Sequence, residues 1–487
     1  MNASNRVGPR ALAALLPDLD RQSGPRYRAL SSALTALLLD GRLAGGTRLP
    51  SERDLAAQLR VSRATATAAY DDLASNGMLL RRRGSGSYLI LPAAARVAGP
   101  GARMARNPLT QDTIDLSIAS LPAVPGLLQA ATLAALEPLG RLATADGYHP
   151  YGLDELRDAV AARYRMRGVE TSREQILITN GAQHAFDLIL RALVSPGDRV
   201  LTELPSYPGA LEAIKAHSAR TVAVPLSAAH GWDSGAIANA LLQTAPRLAY
   251  LIPDFHNPTG SLIPTAQRRQ TAAAARRSGT RIVVDESFID IDLRADAERI
   301  ESPLPMAALD PSGFSIGSLS KPIWGGLRIG WIRADVADIQ RLAVARARGD
   351  MSGAVLEQLV ALELLRDLDA NLGPRLAQLG EQRDALLAEL TRRLPGWRAA
   401  RPAGGLSAWV ELDAPAATPL THLLEHRGIL ISPGSRFAPD GALERFLRIP
   451  FALPTPRLVE AVAVLAQTWT ELDPKRHART ETSLVTA

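Results

Sequence analysis

The chain contains no cysteine, which excludes disulfide bridges and thiolate metal centres; no metal site is expected. It has only three lysines, Lys215, Lys321 and Lys475, so chemistry that needs a primary amine has few candidates. No run reaches the ~18 consecutive apolar residues of a membrane span. The opening MNASNRVGPRALAALLPDLD has a short apolar piece broken by Pro17 and acids, with no small-residue cleavage site. It does not read as an export signal, and a cytoplasmic protein without membrane association is expected. What is present is ordinary for globular domains: 46% hydrophobic and 21% charged residues over 487 positions, enough for two to four folding units.

The net charge of +6 is unevenly placed. Residues 1–92 hold thirteen arginines against seven acids, and the remainder is neutral. A basic module beside a neutral one suits a polyanion partner, although a charged surface without function gives the same count. After an N-terminal extension (1–24), RYRALSSALTALLLD has helical apolar spacing. Ser51 precedes a short helix, ERDLAAQLR, and Ser62 caps another, RATATAAYDDLASNG. MLLRRRGSGSYLIL reads as a hairpin. Residues 92–112, rich in Ala, Gly, Pro and Arg, read as a linker.

Three helices and a hairpin over residues 25–91 have the layout of a winged helix-turn-helix, whose third helix enters the major groove by its N-terminus. That N-terminus holds Ser62, Arg63, Ala64 and Thr65. Arg63 can pair with guanine or phosphate, and Arg81, Arg82 and Arg83 bring three cations to the backbone or minor groove. A helical protein-interaction module is the competing reading. The segment LPSERDLAAQLRVSRATATAAYDDLASNG with RRRGSGSYL resembles the GntR-type winged helix. The resemblance implies that Arg53 and Arg63 contact double-stranded operator DNA and that Gly84 lies at the wing tip.

From 113 to about 350, the apolar runs ILIT, RVLTE, TVAVPL, LAYLIP, RIVVDES and FSIGSL alternate with helical segments. This predicts an α/β domain with a mainly parallel sheet. A long helix from about 375, followed by LSAWVEL, GILISP and FLRIPFA, suggests a smaller α+β unit up to 470. The polar tail 471–487 reads as disordered. Four signals in this region share one logic. A Schiff-base cofactor needs an amine, an acid for its pyridine nitrogen and donors for its phosphate. Lys321 follows a strand-like run, with Ser318, Ser320 and Arg328 near it in sequence; a chance surface lysine is the plain alternative. Asp285 ends a buried strand, where open α/β sheets bind ligands, though Asp also caps helices. Asn257 precedes Pro258 in FHNPTG, and ITNGAQHAF is a strand, glycine turn and helix start, which suits phosphate. Each signal is weak alone.

In this order and spacing they resemble fold-type I pyridoxal-phosphate enzymes of the aminotransferase class I/II group, over residues 113–470. The resemblance implies that Lys321 carries pyridoxal 5′-phosphate as a Schiff base, that Asp285 pairs with the pyridine nitrogen and that Asn257 donates to the ring oxygen. It further implies that Tyr207 stacks on the ring. Ala182, Gln183, Ser318, Ser320 and Arg328 would hold the phosphate, with Tyr148 reaching that of a neighbouring subunit, and Arg448 would clamp a substrate carboxylate. The two modules in this order are similar to the MocR subgroup of GntR regulators. That implies a homodimer whose aminotransferase-like domain senses a small amino compound or the cofactor itself and alters operator binding. A working aminotransferase with an accessory DNA-binding domain is the alternative. One departure concerns turnover: Phe288, in DESF, replaces a tyrosine that donates to the ring oxygen in some members, which bears on transamination more than on cofactor binding.

Overall fold

The computed structural model describes residues 6–16, 25–39, 42–43, 46–75, 78–82, 86–90, 113–227, 231–295 and 302–472. The linker 92–112 and residues 473–487 of the tail lie outside them.

In the first unit, α1 is Pro9–Leu15, α2 Arg26–Leu39, α3 Glu52–Leu59 and α4 Arg63–Ser75. The caps are local chemistry. Ser51 Oγ accepts from the amide of Asp54 at 3.2 Å and Ser62 Oγ from that of Thr65 at 3.0 Å, each satisfying a donor left over at a helix start. Strands β1 (Leu79–Arg82) and β2 (Gly86–Leu89) pair antiparallel with Leu79 opposite Leu89. Leu30, Leu34, Leu38, Leu55, Tyr70 and Leu73 form the core, and the buried Tyr70 hydroxyl donates to the Pro50 carbonyl at 2.9 Å. Residues 6–16, which sequence periodicity leaves in a separate extension, join this unit. The amide of Val7 donates to the Arg48 carbonyl at 3.1 Å, and Leu12 of α1 is fully buried in the same core.

The second unit is built on an eight-stranded sheet. Its strands are β4 (Ile176–Thr179), β5 (Arg199–Leu204), β6 (Arg220–Ser227), β7 (Gly231–Trp232), β8 (Leu248–Leu251), β9 (Arg281–Asp285), β10 (Phe314–Ser318) and β11 (Gly330–Arg333), in the order β4-β11-β10-β9-β8-β5-β6-β7. The block from β10 to β6 is parallel, and the apolar runs at its centre, Leu248–Leu251 of β8 and Ile282–Val284 of β9, are buried throughout. All six apolar runs of the sequence are strands here. The sheet is more mixed than their pattern suggests: β11 inserts antiparallel between β10 and β4, and β7 closes a short antiparallel edge. Gly330 permits the insertion, since a Cβ there would lie 2.6 Å from the Gly181 carbonyl carbon.

A smaller five-stranded sheet has the order β12-β13-β15-β14-β3, with β3 Ile114–Leu116, β12 Arg398–Ala399, β13 Ser407–Glu411, β14 Ile429–Pro433 and β15 Phe446–Pro450. Helices Leu368–Arg393 and Thr455–Leu472 pack on it around Leu386, Ile431, Ile449 and Val462. The first strand after the linker, β3, is parallel to β14. The winged-helix core is continuous with Leu204, Trp409, Phe437 and Leu443 of the second unit. No helix among the described residues is long and apolar enough to cross a membrane.

Candidate functional site

The parallel strands deliver the site at their carboxyl ends, where backbone donors and side chains are left unpaired by the sheet. Asp285 is the last residue of β9 and is 7% exposed. Its Oδ1 accepts from the amide of Ser287 at 2.9 Å and its Oδ2 from the Tyr250 hydroxyl at 2.5 Å. Next to β9, β10 ends at Ser318, three residues before Lys321. The Lys321 ammonium donates to the Ala119 carbonyl at 2.8 Å and lies 5.6 Å from the centre of the Phe288 ring. Burial pushes its pKa down to about 8; Arg448 and Arg328 add to the depression and Asp285 opposes it. Those three charges and Phe288 therefore act on one half-buried amine. Lys215 lies on the helix Pro208–Ala216, and Lys475 lies outside the described residues.

Tyr207 precedes the helix Pro208–Ala216. Burial raises its pKa, with Asp285 adding to the effect and Arg448 and Arg328 opposing it. Its phenol thus shares the field of the same cluster. Asn257 is buried, and its amide oxygen has no protein partner.

An anion cradle lies at one end of this cluster. Gly181, at φ 96°, turns the chain from β4 into the helix Ala182–Leu193, whose first amides have no partner within the helix. Arg328 has left-handed backbone geometry, and its Nη2 donates to the Asn180 carbonyl at 2.5 Å. A Cβ on Gly181 would lie 2.8 Å from that nitrogen, so glycine is what allows guanidinium and helix start to meet. Ser318 and Ser320 place their hydroxyl oxygens 2.8 Å apart, and the amide of Ser320 donates to Ser318 Oγ at 3.0 Å. The Gln183 side chain turns away and donates to the Gly209 carbonyl at 3.0 Å, leaving its backbone for the cradle.

At the other end Arg448, on β15, sits between Trp409 of β13 and Ser432 of β14 in register. Its Nη2 donates to the Ser117 carbonyl, to which Ser432 Oγ also donates at 3.2 Å. Its guanidinium lies 5.2 Å over the Phe437 ring. Tyr148, by contrast, is 57% exposed and apart from the cluster within one chain. Sequence reasoning missed Ser117, Ala119 and Phe437 altogether. The Tyr250 hydroxyl is engaged by Asp285.

On the winged helix, Arg53 and Arg63 are exposed, Arg53 lying 3.6 Å from Asp54. Ser62 and Thr65 place their hydroxyls 2.8 Å from each other while capping α4, so their first role is to set the helix start. The stripe of three cations read from the sequence is reduced. Arg81 pairs with Asp71 at 2.6 Å and Glu52 at 3.6 Å, because the strand carries it back over α3 and α4. Arg82 is exposed and lies 5.7 Å over the Tyr88 ring. Arg83 and Gly84 lie outside the described residues.

An amine of lowered pKa, a buried carboxylate and an anion cradle at the carboxyl ends of β4, β9 and β10 fit a phosphorylated pyridine aldehyde. The comparisons agree. The chain belongs to the aminotransferase class I and II family, whose model matches residues 112–465. The model of bacterial regulatory proteins of the gntR family matches residues 26–89. The combination is that of a MocR-type regulator, a DNA-binding protein whose cofactor is pyridoxal 5′-phosphate. The uncharacterized HTH-type transcriptional regulator YisV of Bacillus subtilis is 29% identical over 459 residues, 88% of this chain and 92% of that protein. YdcR of Escherichia coli, also an uncharacterized HTH-type regulator, is 29% identical over 87% of this chain and 94% of its own length. Among solved structures, LysN, the α-aminoadipate aminotransferase of Thermus thermophilus complexed with N-(5′-phosphopyridoxyl)-L-leucine, superposes with a TM-score of 0.67 at 27% identity. The match covers 78% of this chain and 96% of that one.

Proposed function

We propose that this regulator senses a small amine bearing a carboxylate, through a cofactor held on Lys321. The observation that carries this is the placement of Lys321 and Arg448 against two carbonyls of one short segment, Ala119 and Ser117. When bound, pyridoxal phosphate supplies an electrophilic aldehyde that captures amines. Lys321 holds it, and its lowered pKa leaves roughly a tenth of the amine neutral and nucleophilic at pH 7, far more than an ordinary lysine. Asp285 keeps the pyridine nitrogen protonated, Asn257 donates to the ring oxygen and Tyr207 covers the ring. Ala182, Gln183, Ser318, Ser320 and Arg328 hold the phosphate, and Tyr148, exposed in one chain, reaches the site of a second copy in a homodimer. Arg448 binds the effector carboxylate bidentately in place of the Ser117 carbonyl.

Exchanging those partners changes how segment 117–119 is held, and β3, directly before it, follows the linker. Arg448 also rests on Phe437, part of the apolar cluster continuous with the winged helix. An effector that favours one arrangement of these contacts shifts operator binding by its differential affinity for the two. In the DNA complex Arg53, Arg63 and Thr65 face the major groove beside Ser62, and Arg82 with Arg83 and Gly84 forms the wing contact. The protein acts in the cytoplasm. Operator footprinting with cofactor, with and without candidate amino acids, tests the proposal; a footprint indifferent to every carboxylated amine rejects it. The presence of Lys321, Asp285, Asn257 and Arg448 together also favours residual amine exchange. A multiple-turnover assay with amino- and keto-acid pairs separates a sensor from a working transaminase.

A further inference from the structure

The structure assigns Tyr250 a role that the motifs do not: it is a positioning residue for Asp285, and through it for the protonation of the cofactor's pyridine nitrogen. This rests on the proposed pairing of Asp285 with that nitrogen. Tyr250 lies on β8 beside β9, with Val283 as its register partner, and is 1% exposed. Its hydroxyl donates to Asp285 Oδ2 at 2.5 Å while the Ser287 amide holds Oδ1 at 2.9 Å. Each carboxylate oxygen therefore has one fixed donor and retains further lone pairs for a ligand. Phe186 braces the phenol, with ring centres 4.6 Å apart.

The consequence is electrostatic. A hydrogen bond to an ionised carboxylate stabilises the charged form, so the Tyr250 phenol opposes transfer of the pyridinium proton to Asp285. Among the described residues, the Tyr207 phenol and the Lys321 amine also interact with this carboxylate. The charge on Lys321 varies with the protonation of its adduct, whereas the Tyr250 phenol is a neutral donor that persists. The phenol cannot also serve the ring oxygen, because its single proton is committed to Asp285. With Phe288 unable to donate, Asn257 is left for the ring oxygen while Tyr250 acts at the nitrogen end.

The test uses the full-length holoprotein loaded with cofactor labelled with nitrogen-15 in the ring, whose resonance reports ring protonation directly. Tyr250→Phe keeps the ring packed on Phe186 and removes only the hydroxyl. The resonance is expected to move toward that of a neutral pyridine, as it must in the Asp285→Asn control. With a less electron-withdrawing ring, the visible-band titration midpoint of the Lys321 adduct is expected to rise. A replacement of Tyr250 by a more acidic fluorotyrosine, which preserves the fold should the phenylalanine variant not do so, is expected to lower that midpoint. An unmoved resonance in Tyr250→Phe beside a shifted one in Asp285→Asn overturns the role of Tyr250 alone. Unmoved resonances in both overturn the assignment of Asp285 as well.

Discussion

The Lys321 ammonium and the Ala119 carbonyl, 202 positions apart in the chain, meet at 2.8 Å. The amine proposed to receive the cofactor is thereby held by the segment that leads in from the linker. With its pKa lowered to about 8, Lys321 is expected to bind cofactor faster as pH rises toward 8 and to level off above it. An ordinary lysine continues to gain to about 10.4. Stopped-flow mixing of apoprotein with pyridoxal phosphate measures this. Lys321→Ala is expected to lose the visible adduct that borohydride fixes in the wild type; an equal reducible adduct in the variant removes Lys321 from this role.

Arg448→Ala is expected to abolish the transcriptional response to a carboxylated effector while sparing cofactor and operator binding. Ser432 still donates to the Ser117 carbonyl, so segment 117–119 keeps a tether in the variant. A normal effector response in a reporter assay excludes Arg448 from sensing.

The arginines of the winged helix are expected to behave differently from one another. Arg63→Ala costs about 1–3 kcal/mol of operator affinity if it reads a base, and relaxes specificity. Arg82→Ala weakens all sequences alike and reduces the salt slope by about 1. Arg81 is already paired with Asp71 and Glu52, so its removal changes the salt slope less. Binding isotherms at several salt concentrations decide; equal slopes for Arg81→Ala and Arg82→Ala contradict this division.

Leu12 ties the N-terminal segment to the winged helix. It is fully buried, so Leu12→Ala is expected to destabilise that unit by ~2–5 kcal/mol through lost burial and the cavity left behind. Denaturation of the isolated residues 1–91, followed by circular dichroism, reads the change. A loss below about half a kcal/mol, the range of surface substitutions, places α1 outside the folded unit.

Phe288 faces the Lys321 amine, so its ring borders the reactive centre. Phe288→Tyr adds a donor near the ring oxygen that Tyr250, engaged by Asp285, does not provide. The visible-band titration midpoint is expected to fall in this variant. An unchanged midpoint means the new hydroxyl does not reach the ring oxygen.

What could be read without coordinates was what short stretches of chain decide for themselves. Ser51 and Ser62 cap their helices through amides three residues away. The buried strands of the large sheet announce themselves as apolar runs because both faces are covered. Lys321, Asp285, Asn257 and Arg328 were singled out by residue type and setting, since an imine cofactor needs an amine, an acid and polar donors and a lysine-poor chain leaves few choices; Arg448 entered only through the family resemblance. The tertiary structure alone decided which groups meet. Arg448 reaches Ser117 across 331 positions, and Tyr250 reaches Asp285 only because β8 and β9 lie side by side. It inserted β11 antiparallel where Gly330 lets two backbones touch, drew α1 into the winged helix and turned Arg81 back onto acids. The physical reason is range: capping and periodicity act over a turn or two, whereas these contacts exist only after distant segments have packed and excluded water between them.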